Sequence, residues 1–193
     1  MPYKINPITG QFDYYEAGAN VMPFYGDSVL TSFQRSPKTT SSQNYGGGTS
    51  FAVGINVEKD TTIINAYLEI TAVAVNPTPA SFALYEVVDG VVGARLFEYS
   101  YAITTTGIYT IPVNLDLTAG IYAYATTQDI IAGYRCIDKT DNVFGIVSTM
   151  GANSFINSKL INVLTPLPNP YPVGQANDFT NPVPLVIFET QLL

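Results

Sequence analysis

The chain has 193 residues, a net charge of −7 and no histidine, so Ser-His-Asp and Cys-His catalysis and His-ligated metals are excluded. Its one cysteine, Cys136, excludes an intrachain disulfide and a multi-thiolate zinc site. The acidic balance, with no basic stripe, argues against nucleic acid as a partner, while 47% hydrophobic and 12% charged residues suffice for a sizeable core.

Residues 1–15, MPYKINPITGQFDYY, read as an N-terminal arm. Pro2, Asn6-Pro7 and Thr9-Gly10 punctuate the arm too often for a helix or a long strand. Tyr3, Ile5, Ile8, Phe12, Tyr14 and Tyr15 are nevertheless apolar or aromatic. Such a segment either docks on another protein or packs back on its own domain. It lacks the apolar stretch of a signal peptide, so synthesis in a cytoplasm is expected. No run approaches the ~18 apolar residues of a membrane span, so no membrane partner is expected. Residues 20–25 and 28–33 suggest two short strands. Residues 35–48 are polar and end in Gly46-Gly47-Gly48, which reads as a loop or linker. Without a following Gly-Lys-Ser/Thr, that glycine run is not a phosphate cradle. The arm and linker are therefore assigned to residues 1–48 and a folded domain to 49–193.

The folded part alternates with period two, which predicts an all-β antiparallel sandwich. In 51–57, Phe51, Val53, Ile55 and Val57 share a face. Glu58-Lys59-Asp60 turns the chain into 63–75, where Ile64, Ala66, Leu68 and Ile70 are in phase. These two strands are expected to start the sandwich. Asn76-Pro77-Thr78-Pro79 ends the second. In 81–88, Phe82 and Leu84 oppose Ala83, Tyr85 and Val87. Asp89-Gly90 is a hairpin signal, because both residue types tolerate positive φ, and Gly93 allows a longer connection. The strand at 95–101 sets Leu96 against Phe97, Tyr99 and Tyr101. Residues 104–107 turn into 108–113, where Pro112 lacks an N–H and predicts an edge strand. The Thr118-Ala119-Gly120 turn leads into 121–127, rich in alternating Tyr and Ala.

Residues 130–136 form another strand, with Cys136 a small buried residue. Asp138, Asp141 and Asn142 offer oxygen ligands of the kind Ca²⁺ takes, but without the spacing of a dedicated loop, and a solvated turn reads better. No metal site and no cofactor are assigned. Strands follow at 143–150 and 155–163, the second alternatively a cover. Six of thirteen prolines fall in 165–184, an extended loop. Tyr171 and Phe179 in it are candidate ligand contacts, or fold over an apolar sheet edge. Residues 183–190 close the chain as a strand. No repeat of 20–50 residues is present.

Two stretches resemble a known family. Leu84-Tyr85, Asp89-Gly90, Gly93, Leu96, Thr106-Gly107 and Leu117-Thr118-Ala119-Gly120-Ile121-Tyr122 resemble the jelly-roll domains of minor structural proteins of tailed bacteriophages. Tyr124 or Ala123 stands where that family often has Trp. The closing Val183-Pro184-Leu185 is similar as well, which implies that the first and last strands pair. At the other end Ile5, Asn6, Pro7, Thr9, Gly10, Asp13 and Tyr14 resemble the opening "INPfTGkLDyv" of many tailed-phage virion proteins, with Phe12 in place of Leu. In that family the opening precedes different bodies.

The resemblance implies a jelly-roll-like antiparallel β-sandwich with an extended N-terminal arm, in a non-enzymatic virion protein. Ile5, Asn6, Pro7, Thr9, Gly10, Phe12, Asp13 and Tyr14 are the implied anchor to a capsid, neck or tail partner. The product is a head decoration or head fibre, or a tail fibre-like component, and a homotrimer is the implied oligomer. The alternative is a receptor- or glycan-binding module that contacts the host surface through Tyr171, Phe179 and the 88–93 turn. A two-carboxylate glycosidase is the third possibility.

Overall fold

The computed structural model describes residues 3–5, 12–14, 29–31, 40–57, 59–89, 91–137, 157–160, 162–172 and 182–193. Every regular element among them is a strand. In chain order these are β1 (Tyr3–Ile5), β2 (Phe12–Tyr14), β3 (Val29–Thr31), β4 (Thr40–Tyr45), β5 (Ser50–Val57), β6 (Thr61–Val73) and β7 (Thr78–Val88). There follow β8 (Val91–Ile103), β9 (Gly107–Leu117), β10 (Gly120–Gln128), β11 (Ala132–Ile137), β12 (Asn157–Leu160), β13 (Val183–Pro184) and β14 (Val186–Leu192). The strands expected at 20–25 and 143–150 and the Asp138–Asn142 cluster lie outside the described residues.

The pairings are nested. β7 and β8 form the innermost hairpin, with Val88 opposite Val91 and Asp89 at φ 51, so the Asp-Gly turn needs only its two residues. β6 pairs with β9 around it, and β5 with β10 around both. Rolling up this double ribbon brings β10 against β7 as well. The result is a jelly roll. One sheet has the order β12-β5-β10-β7-β8, and in the second β6 is flanked by β9 and, on its other side, by β14 and β11. β14 pairs with β6 and with β3, so the closing strand does not meet β5, the strand expected to open the sandwich. β5 and β6, expected to open the sandwich together, lie in opposite sheets.

Alternation accounts for the core. Phe51, Val53, Ile55 and Val57 on β5 and Phe82 and Leu84 on β7 meet Ala66, Leu68, Ile70, Ile111 and Phe188 from the other sheet. Phe82, Tyr124 and Phe188 form an aromatic centre with ring separations of 5.9–6.3 Å. Burying each such ring contributes about 1.5–3 kcal/mol. One phase assignment is corrected: Ile63 is fully buried and Ile64 is not. Glu189 pairs with Asn65 but Thr190 pairs with Ile63, so Ile64 is an extra residue that shifts the phase. β9 answers with its own irregularity at the same level, between Ile63–Leu115 and Asn65–Pro112, where Asn114 takes φ 50. β9 pairs only with β6 among the described strands, as its Pro112 requires.

Residues 40–45, expected as linker, form β4 and pair along the whole of β11. Tyr45 at its end is buried in the core and its ring lies 4.6 Å from Phe51. The sandwich therefore begins before the expected boundary at residue 49. A run of Thr, Ser, Gln and Asn has no apolar alternation to announce a strand; the open edge of β11 makes it one.

Two corners carry the same short motif. Thr105-Thr106-Gly107-Ile108-Tyr109 and Thr118-Ala119-Gly120-Ile121-Tyr122 each sit where the chain changes sheets, β8 to β9 and β9 to β10. The Tyr109 hydroxyl donates to the Thr105 carbonyl at 3.0 Å and accepts the N–H groups of Thr104 and Thr105 at 2.8 and 3.1 Å. The Tyr122 hydroxyl likewise donates to the Thr118 carbonyl at 3.0 Å. A chain leaving one sheet for another loses its ladder partners, and the tyrosine replaces them.

Candidate functional site

The N-terminal segment folds back on itself. β1 and β2 pair antiparallel, with Tyr3 opposite Tyr14, Lys4 opposite Asp13 and Ile5 opposite Phe12. Asn6, Pro7, Thr9 and Gly10, which fall between these strands in the sequence, lie outside the described residues. Among the described residues the hairpin is a sheet of its own, and neither strand pairs with the sandwich.

The proline-rich stretch behaves differently from a ligand-contact loop. Residues 162–172 cross the outer face of the first sheet as a strap. Beneath it, Ala52, Ala83, Ala123 and Ala125 leave room, and Leu167 and Tyr171 pack with Tyr85 and Val92 into a second core. Tyr171 is 2% exposed, its ring lies edge-on to Tyr85 at 5.3 Å, and its hydroxyl bonds Ser50 Oγ at 2.9 Å. The strap makes few ladder bonds, so side chains secure it. Asp129 accepts from the N–H and hydroxyl of Thr165 at 2.8 and 2.9 Å, the Tyr85 hydroxyl donates to Pro168 O at 2.8 Å, and Arg95 donates to the Leu167 carbonyl. Tyr171 is thus interior and unavailable as a ligand contact in this state. The alternating face of Ala83 and Tyr85 needs an apolar cover, and the strap supplies it. Phe179 lies outside the described residues.

The outer face of the second sheet is polar and partly exposed. Asn65, Tyr67 and Glu69 alternate with the buried Ala66, Leu68 and Ile70 and therefore point away from the core. Glu189 Oε2 accepts from Asn65 Nδ2 at 2.7 Å and from the Tyr67 hydroxyl at 2.6 Å. These donors, Tyr67 first, hold the Glu189 carboxyl below its ordinary value, and the same bond raises Tyr67. Two strands away, Arg135 grips Glu69 in a two-pronged pair at 2.9 and 3.1 Å. The sequence reading passed over this face, although the polar partners of an apolar alternation were its signal.

Cys136 is fully buried, and burial, opposed by a bond from Tyr45, pushes its thiol up to about 11. It is a packing residue whose sulfur lies 3.2 Å from the Tyr45 hydroxyl. Among the described residues no three His, Cys, Asp or Glu gather as a metal site, and no helix is long and apolar enough to cross a membrane.

No protein-family model matches the chain, and no curated protein matches it. Among solved structures, one of the infectious bursal disease virus Gt strain is similar at 12% identity and a TM-score of 0.32, covering 92% of this chain. The chain spans 40% of the length of that viral chain. So distant a likeness carries no argument, and the functional reading rests on the residues described above.

Proposed function

We propose that this protein is a non-enzymatic structural component of a tailed-phage virion, held to a head, neck or tail partner by its N-terminal hairpin and displaying the jelly roll. The observation that carries this reading is the hairpin that, among the described residues, pairs only with itself, the Asn-Pro-Ile-Thr-Gly sequence between its strands being the stretch that resembles phage virion proteins. A two-stranded hairpin alone is marginal in water, so a partner that buries it gains its apolar residues at about 25 cal/mol per Å² before entropic costs. Among the described residues no strand of the sandwich pairs with β1 or β2. A decoration or fibre-like subunit, trimeric by the same resemblance, fits this division. The test is incorporation. Deleting residues 1–15 is expected to leave a folded body that no longer enters particles; normal occupancy of the truncated chain overturns the anchor.

A second reading, host-glycan binding, is favoured by the partly exposed face bearing Asn65, Tyr67, Glu69, Arg135 and Glu189. Its groups are already oriented by one another, as a saccharide site requires. Titration of neutral oligosaccharides followed by NMR is expected to shift resonances of this face. Unmoved resonances at millimolar sugar remove this reading and leave the anchor untouched.

A further inference from the structure

The two poles of the sandwich differ sharply in charge. At one pole lie the turns at 46–49, 74–77, 104–106 and 129–131. The ladders place them together, since Val73 pairs with Ala132, Thr78 with Ile103, Ile70 with Gly107, Ala80 with Gln128 and Phe51 with Thr126. These four turns hold a single charged residue, Asp129, and its carboxylate is already occupied by Thr165. Lys159 stands at the margin, on β12 in register with Phe51. Among the described residues, the turns at the opposite pole hold Lys59, Asp60 and Asp89, with Asp116 close by.

Apolar side chains face water at both poles: Val88, Leu192 and Leu193 do so beside Asp89 and Asp60, and four others do so at the charge-poor pole. Val75 is 47% exposed, Ile131 48%, Leu164 57% and Ile108 55%. Val75 and Ile131 flank the Val73–Ala132 pair, and Leu164 adjoins the residue bonded to Asp129. Grouped exposed apolar residues mark a contact surface more often than scattered ones do.

We propose that this pole is where copies of this chain associate with one another. The choice of occupant follows from charge. Two molecules at −7 repel, and the opposite pole would set Asp60 and Asp89 against their own copies. The outer face of the second sheet would likewise oppose Glu69 and Glu189. At the charge-poor pole, the described turns bring Val, Ile, Leu, Thr and Gly together with one carboxylate, Asp129, which is held by Thr165. The inference deepens the reading of this chain as an assembling structural protein and rests on it.

Sedimentation of the full chain tests the proposal. The wild type is expected to be oligomeric at high micromolar concentration. Val75→Asp and Ile131→Asp are expected to reduce it to monomer with unchanged melting, because both side chains are half exposed. Val88→Asp, equally exposed at 55% but at the other pole, is expected to keep the oligomer and verifies that an added charge alone is not the cause. Added salt screens the repulsion and is expected to strengthen association. A wild type that remains monomeric, or pole variants that keep the wild-type mass, overturns the proposal. So does loss of the oligomer on deleting residues 1–15 instead. Particle incorporation separates the two ideas: monomeric pole variants that still enter particles leave the hairpin anchor standing. Failure of the truncated chain to enter particles while it stays oligomeric leaves the pole standing.

Discussion

Tyr109 and Tyr122 show how much a single hydroxyl does at a sheet corner. Each closes a turn that has left its ladder, and Tyr109 satisfies two N–H groups as well as a carbonyl. Tyr122→Phe is expected to cost about 1 kcal/mol in urea unfolding, and Tyr109→Phe more, because it strands several backbone groups. Equal stability of both variants and wild type would show that water substitutes fully. The Glu189 cluster is visible in pH instead. Its carboxyl titrates below the ordinary 4.5 in the folded state, so its contribution is complete above that value and is lost as pH falls through the lower folded value. Tyr67 is raised above 10.0, so the same contact is lost again as pH rises through that raised value. The difference in urea midpoint between wild type and Glu189→Gln is thus expected to be flat from about pH 5 to 9 and to shrink at both extremes. A difference independent of pH in that acid limb would refute the role of the ionised carboxylate.

Among the elements, the strap depends most on side chains. Its buried anchors are Leu167 and Tyr171, over a floor of alanines. Tyr171→Ala removes a ring buried against Tyr85 and leaves Ser50 Oγ without that partner; a loss of about 3 kcal/mol is expected. Proteolysis within 162–172 is expected to speed up in that variant ahead of global unfolding, because the strap has few ladder bonds of its own. If cleavage tracks global unfolding, strap and sheet are one cooperative unit. The strap also explains why β7 is buried on both faces: Phe82 and Leu84 face the sandwich core, and Ala83 and Tyr85 face the strap.

For the whole molecule, the division between hairpin and sandwich predicts independence. Deleting residues 1–15 is expected to leave the urea midpoint and slope of the body unchanged, because the slope follows the surface exposed on unfolding and, among the described residues, no sandwich strand pairs with the hairpin. A lowered midpoint would place the hairpin on the body instead of on a partner.

Period-two patterning alone determined that this chain is all-β, because the long strands β5, β6, β7 and β9 each carry a core-facing set of apolar residues. It also placed Pro112 on an edge, since a residue without an N–H has no place inside a ladder, and it located the Asp-Gly hairpin by the backbone freedom of its residues. The tertiary structure decided what local patterns do not encode. Which sheet a strand enters depends on how the ribbon rolls, so β5 and β6 separated. Whether a polar run pairs depends on an open edge, so residues 40–45 became β4. Whether Tyr171 meets solvent depends on which face needs a cover. The polar face around Glu189 and the charge-poor pole arise only when residues distant in the chain are brought together, and for that reason their composition is written in the sequence while their contiguity is not.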